Sequence, residues 1–187
     1  MTANWNSKSE CRAFYKAVCA REFSQGLIQN QKNLDQALND FLKSRSGRWA
    51  AYKALPQEAA VNVSTAPSLI QWFYPRMRDL ELEFFAGDVF VPGLFGVMEP
   101  SPDSEKSLVS ELQGVLVPGL VFNKNGSRMG KGKGFYDKAL ADFSGIKVGI
   151  CFDFQVAEKQ IPMESHDIVM DYLVTDSGLI DCQLWQE

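Results

Sequence analysis

Three compact apolar runs, 112–118 (LQGVLVP), 146–152 (IKVGICF) and 172–175 (YLVT), constrain the fold of this chain most. They are nearly continuous in apolar character, so each reads as a strand buried on both faces. A stretch at 135–143 with helical character separates the first two. Strand, helical connection and strand imply right-handed parallel crossovers and a sheet covered on both sides. Ligands of such sheets gather beyond the carboxyl ends of the strands, which here lead into 118–134, 153–155 and Asp176.

Upstream, Cys11, Phe14, Tyr15, Val18 and Cys19 recur at three-and-four spacing, which predicts an amphipathic helix over 7–23 with Ser7 or Asn6 as its cap. Lys8 and Arg12 are four apart and share a face of it, a pattern that also suits a merely solvated surface. A second helix is expected over 30–44, with Leu34, Ala37, Leu38, Phe41 and Leu42 as the buried stripe and Gly47 ending it. Residues 48–55 read as a strand or its approach, 56–58 as a turn, and 65–72 as a short helix with Pro67 in its first turn. Short strands are expected at 73–76 and 81–85. The Gly- and Pro-rich segment 87–102 reads as a long surface loop. The fold class that follows is α/β: a single three-layer α/β/α domain over 1–187, with a mostly parallel sheet and N-terminal helices.

Composition narrows the function. The chain has 187 residues, 45% hydrophobic and 22% charged, as expected of a soluble globular domain. Its net charge of −4 argues against a general nucleic-acid-coating protein, yet the segment 124–138 alone carries +4. The four cysteines have no C-x-x-C spacing and no neighbouring histidine, so free thiols are expected rather than a metal site, a disulfide scaffold or a nucleophile. The N-terminal stretch has no apolar segment with a cleavage pattern, and no run reaches the roughly 20 apolar residues of a membrane span. A cytoplasmic protein with no membrane and no nucleic-acid partner is the expectation, and a monomer.

The chemistry concentrates in Gly126-Ser-Arg128-Met-Gly130-Lys131-Gly132-Lys133-Gly134-Phe135-Tyr136-Asp137. Glycine lets successive backbone N–H groups close on an anion, and Arg128, Lys131 and Lys133 add positive charge. The spacing is neither G-x-x-x-x-G-K-[ST] nor G-x-G-x-x-G, so neither common nucleotide template applies. A solvated loop has the same composition; what favours a phosphate site is the continuation into two aromatics and a carboxylate at a helix start. A second cluster, Asp153 to Gln155 and then Glu164, His166, Asp167 and Asp171, offers carboxylates for a Mg²⁺ ion, although Asp167 and Asp171 also suit turn caps. His166, the only histidine, lacks a partner at zinc spacing and reads as structural or hydrogen-bonding. Glu58 and Glu99-Pro100 carry no signal by themselves.

Val117-Pro-Gly-Leu-Val-Phe122, the Gly126–Asp137 block, Gly149 with Gln155, Pro162 and His166-Asp167 resemble the 5-formyltetrahydrofolate cyclo-ligase family, also called methenyltetrahydrofolate synthetase. The resemblance extends to Lys8 with Arg12, Tyr52 with Glu58, Pro75-Arg76 and Glu99-Pro100. It implies ATP- and Mg²⁺-dependent conversion of 5-formyltetrahydrofolate, in polyglutamylated form as well, to 5,10-methenyltetrahydrofolate. The formyl oxygen is phosphorylated, N10 closes the ring, and ADP and phosphate leave. Carried over residue by residue, it implies nucleotide contacts from Lys8, Arg12, Arg128, Gly130, Lys131, Gly132, Lys133, Gly134, Phe135 and Tyr136. It further implies catalysis by Lys133, Lys131, Tyr136 and Arg128, substrate contacts from Glu58, Lys133, Phe135 and Tyr136, and magnesium association by Asp137 and Asp167. Two positions depart from the family: Asn123 stands where aspartate is usual, and Phe135 where tyrosine is usual. If those departures disable the chemistry, the alternative is a relative that binds nucleotide or folate in a regulatory role.

Overall fold

The computed structural model describes residues 5, 7–64, 69–93 and 96–185. Its centre is an eight-stranded sheet in the order β13-β12-β10-β7-β1-β2-β3-β6. The inner strands β1 (Gly47–Ala50), β2 (Ile70–Arg78), β7 (Gly114–Pro118), β10 (Ile146–Ile150) and β12 (Tyr172–Thr175) run parallel. At the edges, β3 (Glu81–Ala86), β6 (Lys106–Ser107) and β13 (Gly178–Asp181) pair antiparallel. A small sheet of β8 (Val121–Asn123), β9 (Arg128–Met129) and β11 (Val156–Ala157) stands beside it. All three apolar runs are therefore strands, and the α/β class holds.

Burial on both faces explains why those runs do not alternate. Val115 and Val117 pack with Phe73, Phe122, Leu140 and Leu173, while Leu116 between them packs with Leu34, Leu38, Trp49 and Val148 on the opposite face. Helix α2 (Ile28–Leu42) supplies Leu34, Leu38, Phe41 and Leu42 to that second face. Each such side chain contributes about 1.5–3 kcal/mol by leaving water. Helix α1 (Lys8–Ser24) is capped by the Ser7 hydroxyl, which accepts from the Glu10 N–H. It buries Cys11, Tyr15 and Cys19 against Leu120, Val121, Met129 and Ile161 of the small sheet and the segment after it. Among the described residues no helix is long and apolar enough to cross a membrane.

Several boundaries differ from the sequence expectation. Helix α2 starts at Ile28 and ends at Leu42, so Gly47 opens β1 instead of ending the helix. Asn6 and residues 65–68, with Pro67, lie outside the described residues, but 70–72 is not helical: Ile70 to Phe73 pair with Gly47 to Ala50 in the sheet. Local propensity there yields to a neighbour distant in sequence. The segment 87–102 is not all loop, since β4 (Phe90–Pro92) and β5 (Met98–Pro100) form a hairpin within it. Helix α3 is one turn, Phe135–Ala139, because Leu140 and Phe143 turn into the core and the hydrogen bonds tighten, Phe143 N–H donating to the Leu140 carbonyl. The helical layer on that face is thus short and completed by irregular chain.

All four cysteines are free and buried. Burial pushes the thiols of Cys11 and Cys19 up to about 11 and that of Cys182 up to about 12, the opposite of an activated nucleophile. Asn123 is a clasp. Its amide nitrogen donates to the Ala157 and Lys159 carbonyls at 2.8 and 2.7 Å, and its oxygen accepts from the Ile161 N–H at 2.7 Å. A carboxylate cannot donate, so the amide tethers segment 157–161 in a way the aspartate usual in the resembled family cannot. Asn123→Asp should lower stability by about 1–3 kcal/mol at neutral pH, read by urea denaturation, through two orphaned buried carbonyls facing a new charge.

Candidate active site

The parallel strands β1, β2 and β7 open at their carboxyl ends into a cavity of about 830 Å³, within the usual range for small-molecule sites. Every residue to which the family resemblance assigns a role lines it, whereas Asp153 and Asp171 do not. The bend after β7 is fixed first. Gln155, fully buried, donates to the carbonyls of Gly119 and Leu120 at 3.1 and 3.3 Å and accepts from the Phe152 N–H. Arg128, also buried, donates to the Pro118 carbonyl and to Asp137 Oδ1, each at 3.0 Å. Asp137 Oδ1 also accepts from the Ile168 N–H at 3.3 Å. The Arg128–Asp137 pair thus staples the two ends of the glycine loop, so in the free protein Arg128 braces the loop as well as lining the cavity.

Between those staples the loop adopts conformations that need glycine. Gly132 and Gly134 have φ of 104° and 67°, and Gly134 leads into α3. Lys8 and Arg12 lie on the same stripe of α1 as the buried Cys11, Tyr15 and Cys19, at its N-terminal end, and so turn inward to the cavity. Arg12 Nε donates to the Gly130 carbonyl at 3.4 Å, and its guanidinium lies where a side chain on Gly132 would stand. The shared face predicted for Lys8 and Arg12 is therefore a wall of the site.

Two cations are held by acids across the cavity. Lys131 Nζ lies 2.9 Å from Glu58 Oε1 and donates to the Pro56 carbonyl at 3.3 Å, while Glu58 Oε2 accepts from the Leu55 N–H. Lys8 pairs with Asp167 and, at 3.1 Å, with Glu164. Lys133 is exposed and has no acidic partner among the described residues. The basic run therefore does not present one strip of charge: Arg128 is buried, Lys131 turns inward, and Lys124 lies over the Trp185 ring.

Ionisation follows these contacts. For Lys8, burial disfavours the charge, but hydrogen bonds to Asp167 and Glu164 and their charges outweigh it and hold the ammonium above its ordinary value. For Asp167, burial pushes up, but the Lys8 hydrogen bond, the Glu164 N–H and the charges of Lys8 and His166 pull the carboxyl below its ordinary value. Burial and the Glu58 charge push the Tyr136 phenol well up against the pull of Arg128, so it remains a hydroxyl donor at neutral pH. Burial first, and then the Glu58 charge, also push up the phenol of Tyr52, whose hydroxyl donates to the Ala59 carbonyl at 2.7 Å.

Asp137 and Asp167 are hard oxygen donors on the cavity wall, so the residues present fit a Mg²⁺ ion carried with phosphates. Asp137 holds its Arg128 and Ile168 contacts on Oδ1 and Asp167 its Lys8 and Glu164 contacts on Oδ2, so each has a second oxygen to offer. Asp167 groups with Glu164 and His166, their ligand atoms within 4.8 Å of one another, and Asp137 is not in that group. Asp153 and Asp171 stand away from the cavity: Asp153 sits in a turn with Asp176 and Ser177, and Asp171 accepts from the Lys147 N–H at 2.7 Å. His166 is exposed, 3.3 Å from Glu164. Sequence reasoning missed the wall of Tyr74, Met77, Leu82, Val97 and Met98, which faces the cavity from β2, β3 and the β4–β5 hairpin; Tyr74 and Leu82 fall in expected strands and Val97 and Met98 in the Gly- and Pro-rich segment expected as loop, and none carries a local signal of a site.

A cationic glycine loop braced at both ends and facing an acid and an aromatic-apolar wall, at the carboxyl ends of a parallel sheet, defines an α/β protein with one cavity that is both charged and apolar. Residues 75–176, more than half of the chain, match the model of the 5-formyltetrahydrofolate cyclo-ligase family, and the chain belongs to that family. It is 36% identical over 115 residues to the 5-formyltetrahydrofolate cyclo-ligase of Saccharomyces cerevisiae, covering 57% of this chain and 52% of the relative. It is also 36% identical over 85 residues to that of Escherichia coli, covering 43% and 46%. The chain spans about half the length of the curated relatives it matches. It is similar in fold to a 5,10-methenyltetrahydrofolate synthetase of Aquifex aeolicus, with a TM-score of 0.78, 27% identity, and 94% and 93% of the two chains covered. A Mycoplasma pneumoniae structure with a TM-score of 0.70 at 21% identity shares the fold, over 88% of this chain and 97% of that one.

The Asp167 assignment has a direct check. In a carboxyl-detected NMR titration Asp167 should lose its charge at a lower pH than a free aspartate. Its share of stability is accordingly present above the unfolded value, about 3.9, and lost as pH falls through the lowered folded value. Lys8→Ala should move that midpoint upward, because burial is then opposed by less.

Proposed function

We propose that the protein is a Mg·ATP-dependent 5-formyltetrahydrofolate cyclo-ligase. The observation that carries this reading is that the cationic glycine loop and the acid-plus-aromatic wall share one cavity, so a phosphoryl donor and a pterin can meet there. The amides of Gly130–Gly134 with Arg12 and Lys8 hold the phosphates, and Lys133, exposed and without an acidic partner among the described residues, follows the charge of the transferring group. Asp137 and Asp167 would hold a magnesium ion, which would supply neutralisation of phosphate charge. Glu58 takes the donor-rich pterin edge once Lys131 turns to the phosphates. Phe135 and Tyr136 wall the formyl group, and the Tyr136 hydroxyl supplies the hydrogen bond that Phe135 cannot.

The formyl oxygen attacks the γ-phosphorus and ADP departs. N10 then attacks the activated carbon, phosphate leaves, and the methenyl bridge closes. Holding both reactants in one cavity supplies much of the rate, since phosphoryl transfer depends on placement and charge more than on covalent assistance. Incubation with 5-formyltetrahydrofolate and Mg·ATP should raise the near-ultraviolet absorbance of the methenyl product; folate binding without ADP release would instead select a binding protein. Lys133→Ala should cut kcat by about 10²–10³-fold, the scale of losing one charge-stabilising donor, with Tm unchanged, because the exposed ammonium holds no partner. Equal losses of stability and activity would overturn that role.

A further inference from the structure

Glu99, in β5, is a buried acid whose partners among the described residues are distant. It is 6% exposed and lines the cavity, and a carboxylate so buried ordinarily needs strong hydrogen bonds or a close countercharge. Its contacts are long. Oε1 accepts from the Met77 N–H at 3.4 Å, and Oε2 lies 3.9 Å from Arg76, whose guanidinium donates instead to the Pro100 carbonyl at 2.6 Å. Among the described residues Oε2 accepts no hydrogen bond, and Glu99 lines the cavity. The fold makes room for it: a side chain on Gly93 would collide with the Glu99 carboxylate.

Around Glu99 the wall is apolar, with Met77, Leu82, Val97 and Met98. A lone carboxylate in such a wall recognises an N–H donor attached to an apolar body. On the substrate proposed above, Glu58 takes the pterin edge, and the apolar wall suits the aminobenzoyl ring. The donor at the junction of those two parts is N10–H. Resting on that reading of the function, we propose that Glu99 is the catalytic residue that accepts the N10 proton during ring closure.

The step balances. The N10 lone pair forms the bond to the phosphorylated formyl carbon while the C=N electrons move onto N5. The N10 proton passes to the Glu99 carboxylate. The N5 lone pair then re-forms C=N and expels phosphate, breaking the C–O bond, and Glu99 returns its proton to solvent. No oxidant or further reactant is needed. General-base assistance of this kind is worth about 10²–10⁴-fold.

The test separates the two halves of the reaction in single turnovers, with ADP measured after an acid quench and methenyl product by absorbance. Glu99→Gln keeps the shape and the Met77 contact but has no carboxylate to receive the proton. It should form ADP at the wild-type rate while methenyl formation slows at least about 10²-fold, and Glu99→Asp should recover part of the second step only. Methenyl formation at the wild-type rate in Glu99→Gln, or parallel loss of both steps, overturns the proposal. If Glu99→Gln does not fold, the same separation must appear in Glu99→Asp, and its absence there overturns the proposal too. Wild-type protein that makes no methenyl product refutes the functional reading instead, a result distinct from either.

Discussion

The bend that follows β7 is the constraint on which the site depends. β7 is central, paired on both sides and buried on both faces, so its carboxyl end is among the least movable points of the chain. There the backbone leaves the sheet and must find partners for carbonyls that no strand satisfies. Gln155 takes those of Gly119 and Leu120, and Arg128 takes that of Pro118. Because the same arginine grips Asp137, rigidity of the sheet passes through two hydrogen bonds into the start of α3. The loop between is left only the freedom its glycines allow. On the function proposed above, a loop held this way is organised before a phosphate arrives, which is what charge stabilisation requires.

How much of this was legible in the sequence depends on whether the cause was local. The Ser7 cap and the Cys11, Tyr15, Cys19 stripe are set by neighbours three and four residues away, and α1 formed as expected. The three apolar runs were legible because burial on both faces leaves a compositional mark. Ile70–Trp72 was misread as helix because its strand character comes from β1, some twenty residues upstream. The β4–β5 hairpin was hidden for a similar reason: Gly and Pro signal turns, and nothing local shows that Glu99 will fold back onto Met77. α3 ended early because Leu140 and Phe143 serve the core better than a second helical turn does.

The site divides along the same line. The glycine loop was visible because its chemistry is concentrated in twelve consecutive residues. Lys8, Glu58 and Asp167 were visible only through resemblance, each being an ordinary surface residue by local pattern. The fold removes that ambiguity by bringing α1, the chain after β1 and the segment before β12 to one cavity. Asn123 shows that a departure from a family pattern need not be a defect. Its amide makes three hydrogen bonds, two of which a carboxylate cannot make, so the substitution belongs to the clasp on segment 157–161 and not to the phosphate loop.

The resting ion pairs bear on how the site can be both charged and stable. A cavity carrying Lys8, Lys131, Glu58 and Asp167 without partners would be costly, since each half-buried charge forfeits hydration. Here each cation suited to phosphate is lent to an acid suited to a different ligand: Lys131 to Glu58, and Lys8 to Asp167. Phosphates that take the cations leave the acids free, and a pterin edge or a magnesium ion that takes the acids leaves the cations free. On the function proposed above, the two ligands each remove a competitor of the other. Among the described residues Lys133 has no acidic partner, and on the function proposed above such an ammonium can follow a moving charge at little cost.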